Sequence, residues 1–503
     1  METELKLKVH AADMERLRSH PTLQGDLPDG RTEHHLVDTY YDTPELDLWK
    51  HGLTLRVRKD NDVWIQTAKT ASSASSALHQ RGEWESTLDN AQPRPDVLVR
   101  QMKQARLVKL LSSPDVLKHL IPIFQNTTHR TTWNIALSTG EQLECALDTG
   151  DITCGSHHAS ISELEFELKK GSPSCLFALA LALQNDVPLE IANGSKASLG
   201  YALLENAPIE ARKAKVVRLT RKMTLEDAFQ GIGLNCLQQI ETNVPGVLKQ
   251  DVESLHQMRV GLRRLRALIN MFEELIAIPE QLQESVDWLA SQLGVTRDWD
   301  VFASSTIDAI PDIDTAALRA ASLSKAVELH RQVAQSLRAP RFTRVILELN
   351  GWIRGRQWRT DGLLSKKSPL REKAIDAAKP LLRQAEKRLL KRIGGLKTDE
   401  APARHRTRIA AKKARYAAEF FSELLPQKRI ANYIEHLSKL QDRLGGLNDI
   451  AVADRLLAQL SGSSAQAARQ AAYVRGYLAA KAEVEAKNLA KPLAGIAKLR
   501  ITR

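Results

Sequence analysis

The sequence begins Glu2-Thr3-Glu4-Leu5-Lys6-Leu7-Lys8-Val9, in which a charged residue occupies every second position. Side chains of a β-strand alternate between its two faces, so this spacing places two carboxylates and two ammonium groups on one face. The other face is mainly leucine and valine, as expected for a strand with one side packed on a core. The stretch therefore predicts a strand whose polar face can hold ions of both signs.

Three later segments repeat this alternation of charged and apolar residues: Leu55-Arg56-Val57-Arg58, Glu83-Trp84-Glu85 and Glu163-Leu164-Glu165-Phe166-Glu167-Leu168-Lys169. In an ordinary half-buried sheet, such strands turn their charged face to water. The grouping of acidic with basic strands favours another arrangement, in which the charged faces converge inside a closed sheet. An interior lined by both signs needs a ligand, because unpaired buried charges are costly. We therefore expect metal ions and a polyanion inside the sheet.

Composition divides the chain into two parts of opposite charge. Residues 1–205 hold 21 Lys and Arg against 28 Asp and Glu, a net charge of −7, whereas residues 206–503 carry +19 and should attract polyanions. The first part has short strand-like runs between turn residues, and the second has alanine, leucine and charged residues at helical spacing. We predict an α+β multidomain protein with a β domain at 1–205, a linker at 206–218 and a helical domain at 219–500.

Cysteine spacing and hydropathy indicate the cellular compartment. The four cysteines form no CxxC pair and no zinc-like spacing, which indicates ordinary thiols in a reducing compartment. The chain is charged from residue 2, and its longest apolar run, Cys175 to Leu183, is too short to cross a bilayer. We therefore expect a cytoplasmic protein with no membrane partner.

The helical part contains an internal repeat. The motif His256-x-x-Arg259-x-x-x-Arg263-Arg264-x-Arg266 recurs as His405-x-x-Arg408-x-x-x-Lys412-Lys413-x-Arg415, 149 positions later. A second similarity follows each copy, with Leu293-Gly294-Val295-Thr296-Arg297-Asp298 matching Leu444-Gly445-Gly446-Leu447-Asn448-Asp449. Two matches in the same order predict two related helical bundles, at about 219–365 and 366–500.

Each copy of the motif predicts a helix with a cationic face. Apolar residues of the first copy recur at steps of three and four, so its basic residues share another face, about 15 Å long. One such face alone is as well explained by solvation or by scattered ion pairs, but its recurrence favours a polyanion site, because Arg and Lys bind phosphate by charge-assisted hydrogen bonds. The candidate polyanion-binding residues are His256, Arg259, Arg263, Arg264, Arg266, His405, Arg408, Lys412, Lys413 and Arg415.

The N-terminal part bears a series of charged motifs in a fixed order: Glu2-x-Glu4-x-Lys6, Arg56-x-Arg58, Lys69, Glu83 with Glu85, Arg130, an Ala146-Leu147-Asp148-x-Gly150 turn, Glu163-x-Glu165-x-Glu167, and Lys196 before Gly200-Tyr201. With these motifs the N-terminal part resembles a CYTH domain, of the triphosphate tunnel metalloenzyme group. The helical part, with its repeated histidine-led basic helix, resembles a CHAD domain. Together the two resemblances cover nearly the whole chain.

The resemblance to CYTH domains implies an eight-stranded antiparallel β tunnel in which carboxylates hold divalent cations and basic residues hold a triphosphate. The implied cofactor is Mg²⁺ or Mn²⁺, and Mg²⁺ prefers oxygen ligands. The implied metal ligands are Glu2, Glu4, Glu163, Glu165 and Glu167. The implied triphosphate-binding residues are Lys6, Lys8, Arg56, Arg58, Lys69, Arg81, Glu85, Arg130 and Lys196. The catalytic candidates are Glu4, Lys6 and Glu83, the last as a base or a ligand.

These residues suit metal-assisted transfer of a phosphoryl group to water. Resemblance to bacterial CYTH–CHAD fusions favours hydrolysis of inorganic triphosphate to pyrophosphate and phosphate, with inorganic polyphosphate as the ligand of the helical domain. Association with polyphosphate granules would agree with that ligand. Thiamine triphosphatase and adenylate cyclase activities, which use similar tunnels, are alternatives, as is a non-catalytic scaffold that binds polyphosphate or nucleic acid. Few aromatic residues accompany the basic clusters to stack bases, so we expect no specific nucleic-acid partner.

Overall fold

The computed structural model describes residues 2–24, 31–70, 78–192, 194–204, 210–311, 313–359, 364–396, 400–460 and 464–499. The chain forms two compact units. Unit 1 comprises Met1–Ile209 and Arg338–Gly355, and unit 2 comprises Glu210–Leu337 and Arg356–Arg503. The first four residues of the predicted linker, 206–209, lie outside the described residues.

Unit 1 is built on an antiparallel sheet, as the sequence predicts. Its ten strands within the described residues are β1 Glu2–Val9, β2 Arg31–Asp42, β3 Leu53–Asp60, β4 Val63–Thr70, β5 Leu78–Arg81, β6 Glu83–Leu88, β7 Ile121–Ala136, β8 Gln142–Cys154, β9 His157–Lys170 and β10 Leu189–Ile191. Their order is β10-β1-β9-β8-β7-β2-β3-β4-β6, and β5 pairs with β1. The sheet therefore has two strands more than the predicted eight, and the difference lies in the short strands β5 and β10.

The sheet closes on itself through β5 and β6, which are separated only by Gly82. Because β5 pairs with β1 and β6 pairs with β4, the two short strands join the ends of the strand order. A side chain at Gly82 would lie 2.8 Å from the ring of Trp84, so glycine permits the bend here. Counted as one bent strand, β5 and β6 complete an eight-stranded tunnel, and the three-residue β10 is an addition beside β1.

Strand alternation sorts charged side chains into the tunnel and apolar side chains outside it. On β3, Leu55 and Val57 are buried in an outer cluster with Leu98 and Leu107, whereas Arg56 lines the interior. The helices of unit 1 that pack around the sheet are α1 Met14–Arg18, α2 Pro21–Gln24, α3 Asp47–Lys50, α4 Pro95–Val99, α5 Ala105–Leu111, α6 Pro114–Lys118, α7 Ser174–Gln184, α8 Lys196–Leu204 and, later in the chain, α14 Pro340–Arg354. The amide of Gln184 at the end of α7 donates to the carbonyl of Pro340, 2.7 Å away.

The Ala146-Leu147-Asp148-x-Gly150 motif is not the turn that the sequence suggests, because it lies within β8. Gly150 on β8 pairs with Thr128 on the neighbouring strand β7. A β-carbon at position 150 would lie 1.9 Å from the carbonyl oxygen of Thr127, so the glycine is required by this close approach of two strands.

Unit 2 is helical, as predicted. Its helices are α9 Leu225–Glu241, α10 Val244–Leu248, α11 Val252–Met271, α12 Glu280–Val301, α13 Ala316–Arg338, α15 Ala374–Gly394, α16 Ala401–Phe420, α17 Gln427–Leu460, α18 Ala465–Lys487 and α19 Ala490–Lys498. The two histidine-led motifs lie on α11 and α16, which are both 20 residues long and pack against each other. The two glycine-containing similarities, expected in loops, lie within α12 and α17.

Two simpler sequence features have direct structural counterparts. All four cysteines are buried and unpaired. Among the described residues, no helix combines the length and the apolar character that spanning a membrane requires.

Candidate functional site

The tunnel of unit 1 contains a cavity of 340 Å³. Charged residues dominate its wall, with cations in excess of carboxylates, which suits a multiply charged anion. The glutamates that line it are Glu4, Glu83, Glu85, Glu144, Glu165 and Glu167. The basic residues that line it are Lys6, Arg56, Arg58, Lys69, Arg81, Arg130, Lys169 and Lys196.

Two fully buried aspartates orient the arginines of the tunnel. Asp38 on β2 lies opposite Arg58 on β3 and accepts two hydrogen bonds from its guanidinium group, at 2.6 and 3.0 Å. Asp148 on β8 lies opposite Arg130 on β7 and accepts two at 2.8 and 2.7 Å. Burial opposes the charge of Asp38, but Arg56 and Arg58 outweigh it and hold its pKa below the usual range. Both arginines are therefore fixed in position before any ligand arrives.

Lys6 and Lys196 meet at the centre of an acidic group. The ammonium group of Lys196 lies 2.7 Å from Asp148, 3.1 Å from Glu163 and 2.8 Å from Glu165. Lys6 also donates to Glu165, which accepts a further hydrogen bond from Arg130 at 2.7 Å. Burial opposes the charges of Glu165 and Lys196, yet the cations hold the pKa of Glu165 well below its usual range, and the carboxylates raise the pKa of Lys196 well above its own. Glu165 and Lys196 are therefore both charged at neutral pH.

Three glutamates stand side by side across three strands. Glu167 on β9 has Glu4 on β1 and Glu144 on β8 as its two cross-strand neighbours. Like charges directly opposite each other destabilise a sheet unless cations compensate them. Here Arg81 lies 2.5 Å from Glu4, and Lys169 lies 2.9 Å from Glu167 and 3.6 Å from Glu144.

The same three glutamates are chemically suited to a divalent cation, because carboxylate oxygens are the ligands that Mg²⁺ prefers. Their oxygens point to separate basic partners, and among the described residues no three His, Cys, Asp or Glu side chains already form a metal-binding group. A cation at this row would therefore have to displace Lys169 or Arg81.

The remaining wall of the tunnel is formed by β3, β4 and β6. Lys69 pairs with Glu83 at 2.8 Å, and Glu85 accepts a hydrogen bond from Thr67 at 3.3 Å. The Nε atom of Arg56 is buried and has no hydrogen-bond partner in the part of the chain that the structure describes. Arg56 itself lines the cavity, and its guanidinium group is suited to an incoming phosphate oxygen.

The structure brings most of the predicted tunnel residues to one cavity and leaves two described residues, Lys8 and Glu163, outside it. Lys8 is exposed and does not line the cavity, and Glu163 is buried behind Lys196. The side chain of Glu2 lies outside the described residues. The predicted residues that line the cavity are Glu4, Lys6, Arg56, Arg58, Lys69, Arg81, Glu83, Glu85, Arg130, Glu165, Glu167 and Lys196.

Sequence reasoning missed Glu144 and Asp38. Glu144 lies two positions before the inward-facing Ala146 on β8, so strand alternation places both on the same face. Asp38 is the one carboxylate between His34 and Tyr41 on β2. Each is recognisable only once the strand register places it opposite Glu167 or Arg58.

Unit 2 contains a larger cavity of 810 Å³ between α11, α12, α16 and α17, which we call the central cavity. Two further arginines, Arg297 and Arg455, join the predicted residues on its wall, together with Asp298, Asp442 and Asp449. The predicted residues that line it are His256, Arg259, Arg263, Arg266, His405, Arg408, Lys412 and Arg415. Arg264 and Lys413 lie elsewhere: Arg264 is buried and donates to Gln239 and Asn235, and Lys413 donates to Asn270.

Positive charge in the central cavity exceeds what its own carboxylates neutralise. Burial, followed by the nearby Arg263 and Arg408, lowers the pKa of Lys412 to about 6. Burial likewise lowers the pKa of Arg259, although Asp298 lies 3.7 Å away. A bound polyanion would oppose both shifts, because it stabilises the charged forms of these side chains.

The fold and the two cavities define a protein with a closed antiparallel sheet around a charged tunnel and a helical repeat around a cationic cavity. Comparison with known families agrees with both parts. Residues 1–201 match the CYTH domain and residues 232–458 match the CHAD domain. The chain therefore belongs to the proteins that join a CYTH domain to a CHAD domain.

Individual relatives resemble separate parts of the chain. An inorganic triphosphatase from Haemophilus influenzae is 33% identical over 168 residues, which cover 33% of this chain and 46% of that protein. The matched segment is thus less than half of that relative. The crystal structure of the CHAD domain from the plant Ricinus communis is 36% identical, covers 58% of this chain and 99% of that chain, and has a TM-score of 0.54.

Proposed function

We propose that the CYTH domain hydrolyses inorganic triphosphate to pyrophosphate and phosphate with the aid of a divalent metal ion. The observation that carries this proposal is the juxtaposition, in one 340 Å³ cavity, of oriented basic residues with a row of three neighbouring glutamates. The name of the Haemophilus relative supports the choice of substrate. A tunnel with both phosphate donors and metal-type oxygen ligands is suited to phosphoryl transfer, in which positioning and electrostatics do most of the catalysis.

The residues of the tunnel have distinct tasks in this proposal. Arg56, Arg58 and Arg130 bind phosphate oxygens, and the latter two are already oriented by Asp38 and Asp148. Lys6 and Lys196, which share Glu165 with Arg130, neutralise charge on the transferred group. Because both lysines are held at fixed carboxylates, little rearrangement is needed when the substrate binds.

Metal binding is assigned to the row of Glu4, Glu144 and Glu167. When bound there, Mg²⁺ or Mn²⁺ would offset phosphate charge and lower the pKa of a coordinated water. Glu165 and Glu163 are weaker metal candidates than the sequence implies, because Lys6, Arg130 and Lys196 already occupy their oxygens. Glu83 lies outside this row and forms an ion pair with Lys69. Once that ion pair opens, Glu83 can accept a proton from the attacking water.

For the CHAD domain we propose binding of inorganic polyphosphate in the central cavity, without catalysis. Two cationic helix faces meet there, and the buried Nε atoms of Arg408 and Arg415 have no hydrogen-bond partner among the described residues. Nucleic acid is the second candidate ligand, because a strongly basic surface binds any phosphate backbone. Duplex DNA that displaced polyphosphate at equal phosphate concentration would overturn the polyphosphate assignment.

The experiment that tests the catalytic proposal is phosphate release from inorganic triphosphate, ATP, thiamine triphosphate and long-chain polyphosphate, with Mg²⁺, with Mn²⁺ and with a chelator. Wild type is compared with Glu4→Gln and Lys6→Ala, and the matched controls are Glu45→Gln and Lys103→Ala, at exposed positions outside the cavity. We expect metal-dependent release, fastest from inorganic triphosphate, that the two tunnel variants abolish and the two controls retain. Faster release from ATP or thiamine triphosphate would reassign the substrate, and no release from any of them would favour a binding scaffold.

A further inference from the structure

A second basic groove lies beside the central cavity, between α15 and the pair formed by α11 and α16. This groove, which we call the side groove, encloses 400 Å³. Its floor includes Ala267, Met271 and Ile409, and the described residues on its wall include five cations and no carboxylate. The basic residues of the side groove are Arg388, Lys391, Arg392, Arg406 and Lys413. Four of the five are absent from the repeated motif.

The side groove is connected to the central cavity by an intermediate depression of 650 Å³. This depression shares Arg263, Arg408 and Lys412 with the central cavity, and it shares Asn270 and Lys413 with the side groove. Basic residues therefore line the path from one cavity to the other, and Glu273 also lines the depression between them.

Helix α16 contributes to both sites through two different stripes. Arg408, Lys412 and Arg415 line the central cavity, whereas Arg406 and Lys413 line the side groove. Residues three, four and seven positions apart lie on one face of a helix, so each stripe is a separate binding face. One helix can thus guide a linear anion from one site to the next.

Three cations of the side groove are available to a ligand. Arg388 lies 3.5 Å from Glu273 and is partly neutralised. Lys391, Arg392 and Arg406 are exposed, and no described residue forms an ion pair or a hydrogen bond with their side-chain groups. These side chains can therefore bind phosphate groups without first breaking a hydrogen bond or an ion pair within the protein.

In the first repeat, the position that corresponds to the side groove is filled by helix packing. Helix α9, which packs on α11 as α15 packs on α16, contains no Lys or Arg, whereas α15 contains six. A β-carbon at Gly261 would lie 3.1 to 3.2 Å from atoms of α9, so the glycine allows close approach of α9 and α11. The equivalent residue of the second repeat is Ala410, which lines the side groove.

The basic residues of the two repeats differ in the same way. Arg264, the equivalent of Lys413, is buried against α9 and donates to Gln239 and Asn235. Gln257, the equivalent of Arg406, is held by Gln239 at 3.1 Å. The two repeats therefore differ here: the second has an open basic groove, whereas the equivalents of Arg406 and Lys413 in the first are packed against α9.

We propose that the side groove is a second polyphosphate subsite, which binds the part of a long chain that extends beyond the central cavity. This inference rests on the proposed binding of polyphosphate by the CHAD domain. Long polyphosphate leaves the central cavity on the α15 side, because cations continue in that direction and are replaced by packed neutral and acidic residues on the α9 side. A short anion such as inorganic triphosphate occupies one cavity and does not reach the other.

The test is binding of long-chain polyphosphate and of inorganic triphosphate to the full chain carrying Lys391→Gln, Arg392→Gln and Arg406→Gln. The matched control carries Lys379→Gln, Arg383→Gln and Lys387→Gln, which remove the same charge from α15 outside the groove. We expect the groove variant to bind long-chain polyphosphate roughly tenfold more weakly, with a salt dependence reduced by up to about 2 in log–log slope, since each lost phosphate contact contributes about 0.7. Its affinity for triphosphate and the affinity of the control for both ligands stay near wild type.

Equal weakening by the groove variant and its control would overturn the side-groove proposal, because it would show a general effect of net charge. An unchanged affinity of the groove variant for long chains would overturn it too. If wild type itself bound no long-chain polyphosphate, the proposed function of the CHAD domain would fail first, and that result differs from either of the others.

Discussion

The ammonium group of Lys196, at the start of α8, lies 2.7 Å from a carboxylate oxygen of the fully buried Asp148 on β8. Asp148 uses the same carboxylate to hold Arg130 with two hydrogen bonds. One acidic residue behind the tunnel wall therefore orients two of the cations that line it.

Replacing this carboxylate tests its role directly. Asp148→Asn keeps the shape of the side chain but removes one buried counter-charge from Arg130 and Lys196, both of which still contact Glu165. Breaking a buried pair by removing one partner costs about 3–5 kcal/mol. We expect a loss of this size in the free energy of unfolding, measured by urea denaturation, and a large fall in kcat/KM for triphosphate. Asp151→Asn, at an exposed position of the same strand, should change neither quantity.

Metal dependence should involve Glu144, the neighbour of Glu167 that the sequence analysis did not select. The affinity of oxygen-ligand sites for divalent cations follows the number of charged ligands, so Glu144→Gln should raise the Mg²⁺ concentration for half-maximal activity by roughly tenfold. Thermal stability should not fall, because the change relieves repulsion within the glutamate row. An unaltered Mg²⁺ requirement in this variant, equal to that of Glu45→Gln, would remove Glu144 from the metal site.

The position of α8 depends on the absence of a side chain at residue 200. A β-carbon on Gly200 would lie 2.2 Å from the ring of Phe124, so Gly200→Ala must push the helix away from β7. Overpacking of this kind costs about 1–3 kcal/mol, and here it also displaces Lys196 at the start of the helix. We expect a lower melting temperature together with reduced triphosphatase activity. A second change, Phe124→Leu, should restore part of both losses, and no recovery would contradict this steric explanation.

Binding of polyphosphate should be linked to proton uptake at Lys412. Burial and the nearby Arg263 and Arg408 lower the pKa of this residue from 10.5 to about 6, so its side chain is mostly neutral at pH 7 in the free protein. A bound polyanion favours the charged form, and the affinity should therefore rise as the pH falls from about 8 to about 6. Isothermal titration calorimetry in two buffers with different ionisation enthalpies measures the proton uptake. Lys412→Arg, which stays charged, should lose most of the pH dependence.

The same shift predicts how stability varies with pH in the absence of ligand. The unfolded chain keeps a proton on Lys412 up to about pH 10.5, whereas the folded protein keeps it only below about pH 6. The unfolded state therefore binds more protons between these values, and the contribution of Lys412 to the free energy of unfolding increases with pH across this window. A decrease across the window that Lys412→Arg leaves unchanged would contradict the assigned shift.

Local periodicity accounts for what could be predicted. Alternation at period two in β1, β3 and β9 indicates which side chains share a face of a strand, and this is a property of the backbone that needs no tertiary contact. The recurrence of the histidine-led motif likewise indicates two related helices with cationic faces. The antiparallel sheet, the helical second part and the alternating cavity residues follow from these two patterns, whereas Lys69, Arg81, Arg130 and Lys196 were implied by the family resemblance.

Periodicity could not predict the register of the strands or the depth of a residue along its strand. The face of Lys8 and Glu163 is correctly implied by their alternation with Leu7 and Leu164, but their depth along the strands places one at an exposed end and the other behind Lys196. Asp38 becomes important only because the register sets it opposite Arg58.

The sequence by itself determined the two kinds of fold and the faces on which charged residues recur, because strand alternation and helical spacing are local. Tertiary structure alone decided which carboxylates hold cations and which stand together in a row, because those roles depend on strand register and on closure of the sheet at Gly82. Tertiary structure also decided that the second repeat has an open side groove at the position where α9 and α11 pack closely in the first repeat. That difference arises from the distance at which two helices pack, which depends on whether Gly261 or Ala410 stands between them.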